Sequence, residues 1–135
     1  MGRIEVVDLP EITLWYHTDK RIVHHQMQRR PPISVLESVL EKGLETLKEH
    51  GAQKWLSDDR KGGALPISHQ QWAATDWGPR MAEVGWKYWA LLPPHRAIGQ
   101  LSMQRLQKTY SSLGVTVQVF SDYYQALAWL VRCRE

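Results

Sequence analysis

From residue 33 onward the chain switches between two spacings of apolar residues, and it does so by turns. Leu36, Leu40, Leu44 and Leu47, with Ile33, Val39 and Gly43 beside them, keep the three-and-four spacing of one helical face. Glu37, Glu41, Lys42, Glu45, Lys48 and Glu49 fill the opposite side. Residues 52–56 then read as a short strand. Residues 86–92 form a near-continuous apolar run with one lysine, as in a strand covered on both faces. Val115, Val117 and Val119 with Phe120 read as another strand. Helical stretches separate these strands. One starts at Ser68, one runs over residues 100–112 with Met103, Leu106, Tyr110 and Leu113 on one face, and the last carries Tyr123, Ala126, Leu127 and Leu130. Strands separated by helices pair in parallel under helical cover, with right-handed crossovers.

The segment ahead of residue 33 follows another rule. The first ten residues read as a short lead-in. Ile12, Leu14 and Tyr16 alternate with Thr13, Trp15 and His17, and residues 21–27 follow after the turn residues His17-Thr18-Asp19-Lys20. That predicts a β-hairpin. The punctuation agrees with these elements. Pro31-Pro32, Pro93-Pro94 and Gly114 end segments, Gly51 suits a left-handed C-cap, and Asp122 suits an N-cap. Ser68 with Gln71 predicts a capping box, and Gly78-Pro79 predicts a break or kink. The expected fold class is α/β, a mixed and mainly parallel five-stranded sheet in the order β-β-α-β-α-β-α-β-α. One domain is expected over residues 1–135, with an ordered core over 10–132 and the sheet strands Trp86–Leu92 placing Trp86 and Tyr88 on one face.

A length of 135 residues suffices for a buried core without disulfides. The net charge of +3 comes from 17 basic and 14 acidic residues, mostly scattered, so no nucleic-acid partner is expected. Cys133 is the one cysteine, so neither a disulfide framework nor a cysteine metal site forms within one chain. No signal-peptide pattern and no long apolar run is present, so a cytoplasmic protein without membrane insertion is expected. Seven tryptophans stand against one phenylalanine, and rings of that size normally contribute buried area to a core.

The strand at 52–56 ends in Ser57-Asp58-Asp59-Arg60. In open α/β sheets ligands and partners meet the protein beyond the carboxyl ends of the strands. This places Ser57, Asp58, Asp59 and Arg60 at a candidate contact edge. Ser68, His69, Trp72 and Trp77 on the following helix join it, as an aromatic floor beside a charged rim. Asp58 and Asp59 alternate faces, so a shared acid–base pair requires an irregular loop. His24 and His25 alternate faces too, and no helical His-x-x-x-His pair or Cys–His spacing is present, so neither metal nor cofactor is expected. There is no phosphate-cradling glycine loop and no Gly-x-Ser-x-Gly elbow, so no catalytic residue is named.

Three stretches carry a resemblance to a known family. They are residues 51–60, residues 75–80 leading into 85–90, and the ending Val117-Gln118-Val119-Phe120-Ser121-Asp122 with Ala126-Leu127-Ala128-Trp129-Leu130. With the element order, the chain resembles the STAS-like domains of anti-sigma-factor antagonists, the SpoIIAA-like or STAS/SEC14-type group of small bacterial domains. The resemblance implies a non-catalytic regulatory domain that binds a protein partner. Relatives switched by phosphoserine carry an Asp-Ser-Ser-Gly type of turn. Here the corresponding region reads Ser57-Asp58-Asp59-Arg60-Lys61-Gly62-Gly63, so the switch does not transfer. A small-molecule or lipid-binding module using the tryptophans is the alternative. A homodimer is a further expectation, because edge strands invite a second copy.

Overall fold

The computed structural model describes residues 2–94 and 100–135, with residues 100–103 given by their helical backbone alone. The side chain of Met103 lies outside the described residues. Six strands form one sheet whose spatial order repeats the chain order. β1 (Arg3–Asp8), β2 (Ile12–His17) and β3 (Ile22–Met27) pair antiparallel. From β3 the pairing is parallel, through β4 (Lys54–Asp58), β5 (Tyr88–Leu92) and β6 (Thr116–Val119). The α/β class, the hairpin and the alternation that follows are as expected. The five-strand count is corrected to six, because β1 lies in the segment that reads as a lead-in. Its period of two fails at a bulge between Glu5 and Val7, which sets Val6 and Val7 side by side against the core.

The helices are α1 (Ile33–His50), α2 (Ile67–Trp72), a π turn (Ala73–Trp77), α3 (Gly78–Glu83), α4 (Gln100–Ser111) and α5 (Tyr123–Arg132). Each strand-helix-strand unit steps one strand in the same direction. Crossovers of one hand therefore put α1, α2–α3 and α4 on one side of the sheet. There Leu36, Leu40, Leu47, Trp77, Met81 and Tyr110 meet Ile12, Leu14, Tyr16, Val23 and Trp55 in one core. Among the described residues α5 is the one helix on the other side, where Ala126 and Leu130 cover Ile22, Leu56, Ala90 and Leu92.

The leucine face of α1 is buried as its spacing predicts. Gly43 lies so close to the Trp55 ring that a β-carbon there would overlap it. Gly51 closes the helix in the left-handed conformation at φ 61°, donating to the carbonyls of Leu47 and Lys48. Arg21 sits at φ 59° in the hairpin turn and donates from Nη2 to the carbonyls of His50 and Gly51, 3.2 and 2.8 Å away. One side chain thus pins the hairpin to the carbonyl end of α1.

Two local expectations differ from the structure. Gly78-Pro79 does not break the helix. Ala73 and Gly78 both keep right-handed helical dihedrals, and the turn between them widens so that the Gly78 N–H reaches the Ala73 carbonyl. The wide turn absorbs the hydrogen bond that Pro79 cannot make. A side chain at Gly78 would come within 2.6 Å of that same carbonyl oxygen. Trp86, expected on the strand beside Tyr88, precedes β5 instead. Gly85 at φ 114° redirects the chain, so Trp86 packs with Trp77 and Trp89 on the helix-rich side while Tyr88 faces α5.

Candidate functional site

The carboxyl ends of β3 and β4 are adjacent and in register, with His24, His25 and Gln26 beside Leu56, Ser57 and Asp58. Alternation divides these side chains between the two faces of the sheet.

On the α5 face Asp58 is 3% exposed and held by Arg60. Nε and Nη2 of Arg60 donate to its two oxygens at 2.9 and 2.8 Å, and Gln26 adds a longer bond of 3.4 Å. Burial alone would push the Asp58 carboxyl up. The hydrogen bonds and charge of Arg60 outweigh it and hold the group below its ordinary range. Two parallel N–H···O bonds make this a charge-assisted fork rather than a loose surface pair.

On the opposite face Asp59 accepts from Nε2 of His25 at 2.6 Å, and Nδ1 of His25 lies 3.0 Å from the indole nitrogen of Trp55. An indole N–H only donates, so Nδ1 must be the unprotonated nitrogen. The proton therefore sits on Nε2 and is directed at the carboxylate. Trp55 thus selects the tautomer of His25, and His25 in turn orients Asp59.

Ser57 shares that face and lies beside His25 in register. Serine, histidine and aspartate are the residue types of a nucleophilic triad, in which a free imidazole nitrogen accepts the hydroxyl proton. Here both ring nitrogens are occupied, and the Ser57 hydroxyl oxygen accepts from the indole N–H of Trp89 at 2.9 Å. The three residues are neighbours without forming a proton relay.

The helix after β4 divides its expected site residues in the same way. Ser68 is exposed and caps nothing. The expected capping box is corrected: the helix begins earlier, at Ile67, with Pro66 in the capping position and no side-chain cap. Proline's fixed φ leads into the helix two residues before the start that the Ser68–Gln71 pattern suggests. His69 is buried, with Nδ1 3.1 Å from a Glu37 oxygen, and so ties α2 to α1. Trp77 is in the core, its indole N–H bonded to the Leu40 carbonyl at 2.9 Å. Trp72 is half-buried and stacked on Trp77 at 6.4 Å.

Trp72, Trp77, Trp55, Trp86 and Trp89 form one contiguous cluster, with successive ring centroids 5.3 to 6.4 Å apart. The cluster reaches the His25–Asp59 pair through Trp55. Asp59, Arg60, Ser68 and Trp72 thus remain reachable from solvent. Ser57, Asp58, His69 and Trp77 are buried supports.

Another buried histidine faces α5. His24 is 3% exposed, between Trp15 and Tyr123, with Nδ1 3.1 Å from Nε2 of His17. Its Nε2 has no partner among the described residues. Burial, reinforced by the nearby His17 and His25, pushes its pKa down to about 3.

Sequence reasoning missed His25, Trp55, Gln26, Trp89 and Glu37 as partners of the expected residues. Each lies on a different element from the group it holds. Among the described residues no three histidine, cysteine or acidic side chains converge as metal ligands, and no helix is long and apolar enough to cross a membrane. Comparison with protein-family models, curated proteins and solved structures finds no match.

Proposed function

We propose that this chain is a non-catalytic interaction domain of STAS-like type, acting in the cytoplasm. It would contact a protein partner through the carboxyl end of β4 and the start of α2. The observation that carries this reading is the closure of the chemistry at that edge. Arg60 holds Asp58, His25 holds Asp59, Trp55 occupies the remaining nitrogen of His25, and Trp89 occupies Ser57. A set of groups locked this way supplies a stiff, charged rim rather than a base waiting for a proton.

At the start of α2, Ile67 is 70% exposed and the neighbouring Ser68 is exposed with it. An apolar anchor bordered by charge is the usual composition of a protein contact. The alternative, a ligand module among the tryptophans, has less support because those rings pack against one another.

The test is affinity capture from a cell lysate with wild type beside an Ile67→Asp/Ser68→Arg double variant. Both positions are exposed, so the variant's urea midpoint stays within experimental scatter of wild type. A partner captured by wild type and lost from the variant is expected. The same capture from both proteins, or enrichment of nothing by either, would remove this edge from consideration.

A further inference from the structure

β1 forms one margin of the sheet. One side of its backbone pairs with β2, and the other side has no partner among the described residues. Ile4, 49% accessible, is among the most exposed large apolar side chains described. Arg3 and Asp8 are exposed at the two ends of the strand, and neither belongs to an ion pair among the described residues. A strand edge of this kind is a template for another strand.

We propose that the occupant is a second copy of this chain, which adds its own β1 antiparallel across a two-fold axis passing between Glu5 and Val6. In that register Arg3 faces Asp8 of the second copy, and Ile4 faces Val7 of the second copy. The symmetry makes each contact twice.

The bulge is what makes the register self-consistent. On a regular strand Arg3 and Asp8, five positions apart, would point to opposite faces. The extra residue between Glu5 and Val7 restores them to one face, opposite His17 and Thr13 of β2, and puts Ile4 and Val7 together on the other, opposite Tyr16 and Leu14. Directly opposed side chains on neighbouring strands stand about 5 Å apart at Cβ, within reach of an arginine–aspartate pair. The Arg3 guanidinium already lies over the Trp15 ring at 4.4 Å and keeps its remaining donors for a carboxylate. A slide of the register by two residues would set Asp8 against Glu5, like charge against like, so the charges also select the alignment.

On the helix side the edge borders an open groove of about 480 Å³ between β1 and α1, floored by Val7, Leu9, Val35 and Val39. Ile4 of the second copy, opposite Val7, enters that groove and loses its exposure to water.

The test is sedimentation equilibrium on untagged protein over a range of concentrations, for wild type, Arg3→Asp, Asp8→Arg and the double exchange. A wild-type dimer is expected. Each single exchange sets like charges opposite one another twice and raises the dissociation constant about tenfold or more, and the double exchange returns it toward wild type. Thermal midpoints within a few degrees of one another show that folding is not what changed. A monomer at every concentration overturns the proposal. So does a dimer indifferent to the single exchanges, or one that the double exchange fails to restore.

Discussion

Lowering the pH should destabilise this protein through His24. The ring is enclosed by Trp15, Tyr123 and His17, with Asp58 and Arg3 further off and an orphan Nε2. The fold holds the imidazole neutral down to about pH 3, whereas the unfolded chain takes up the proton near its ordinary value of 6.5. Between those values the unfolded state binds more protons, so stability is full above pH 6.5 and is lost as the pH falls toward 3. From those two values, the loss between pH 7 and pH 4.5 is about 2.5 kcal/mol from this one side chain. His17, whose pKa burial also lowers, acts with the same sign. The assay is urea unfolding followed by tryptophan fluorescence at both pH values, for wild type and His24→Phe. The phenyl ring keeps most of the volume and removes the titration. The variant should lose about 2 kcal/mol less than wild type on acidification, because the carboxylates act equally in both proteins and cancel. Equal losses in the two proteins would refute the reasoning.

Other outcomes follow from the packing at the site. Arg60→Ala leaves the Asp58 carboxylate buried without its cation and should lower stability by about 3 kcal/mol, with Arg60→Lys intermediate, as read by urea midpoints. Trp55→Phe removes the donor to Nδ1 of His25 and part of a buried ring. It should cost about 2–4 kcal/mol, and nitrogen NMR of His25 should change from a pure Nε2–H tautomer to a mixture. Gly43→Ala gains about 1 kcal/mol of helix propensity but drives a methyl into the Trp55 ring, for a net loss of about 1–2 kcal/mol on thermal unfolding.

What the sequence makes legible is local in origin. The leucine spacing of α1, the left-handed Gly51, the Asp122 cap whose carboxylate accepts from the Gln125 N–H at 3.0 Å, and the opposite facing of Asp58 and Asp59 all depend on a few neighbouring residues. The failures are of two kinds. β1, the start of α2 and the position of Trp86 were hidden by single-residue irregularities: a bulge, a proline in the capping position and a glycine at positive φ. The partners at the site were hidden because they depend on register. Nothing near Asp59 in the chain indicates that β3 will slide alongside β4 so that His25 meets Ser57 and its imidazole reaches Asp59. A shift of two residues in that pairing would have given Asp59 a different neighbour.

The agreement between spatial and chain order in the sheet has a consequence for how the molecule can be made. No strand is inserted between two earlier ones, so every new strand docks on an edge that already exists. A chain emerging from the ribosome can extend its sheet one unit at a time, with no wait for a distant partner. The last helix is the exception. Until α5 has emerged, Ile22, Leu56, Ala90 and Leu92 have no cover, although they belong to strands completed earlier. The nascent protein therefore carries one greasy stripe on an otherwise finished sheet until α5 docks, and that stripe is where a chaperone would bind.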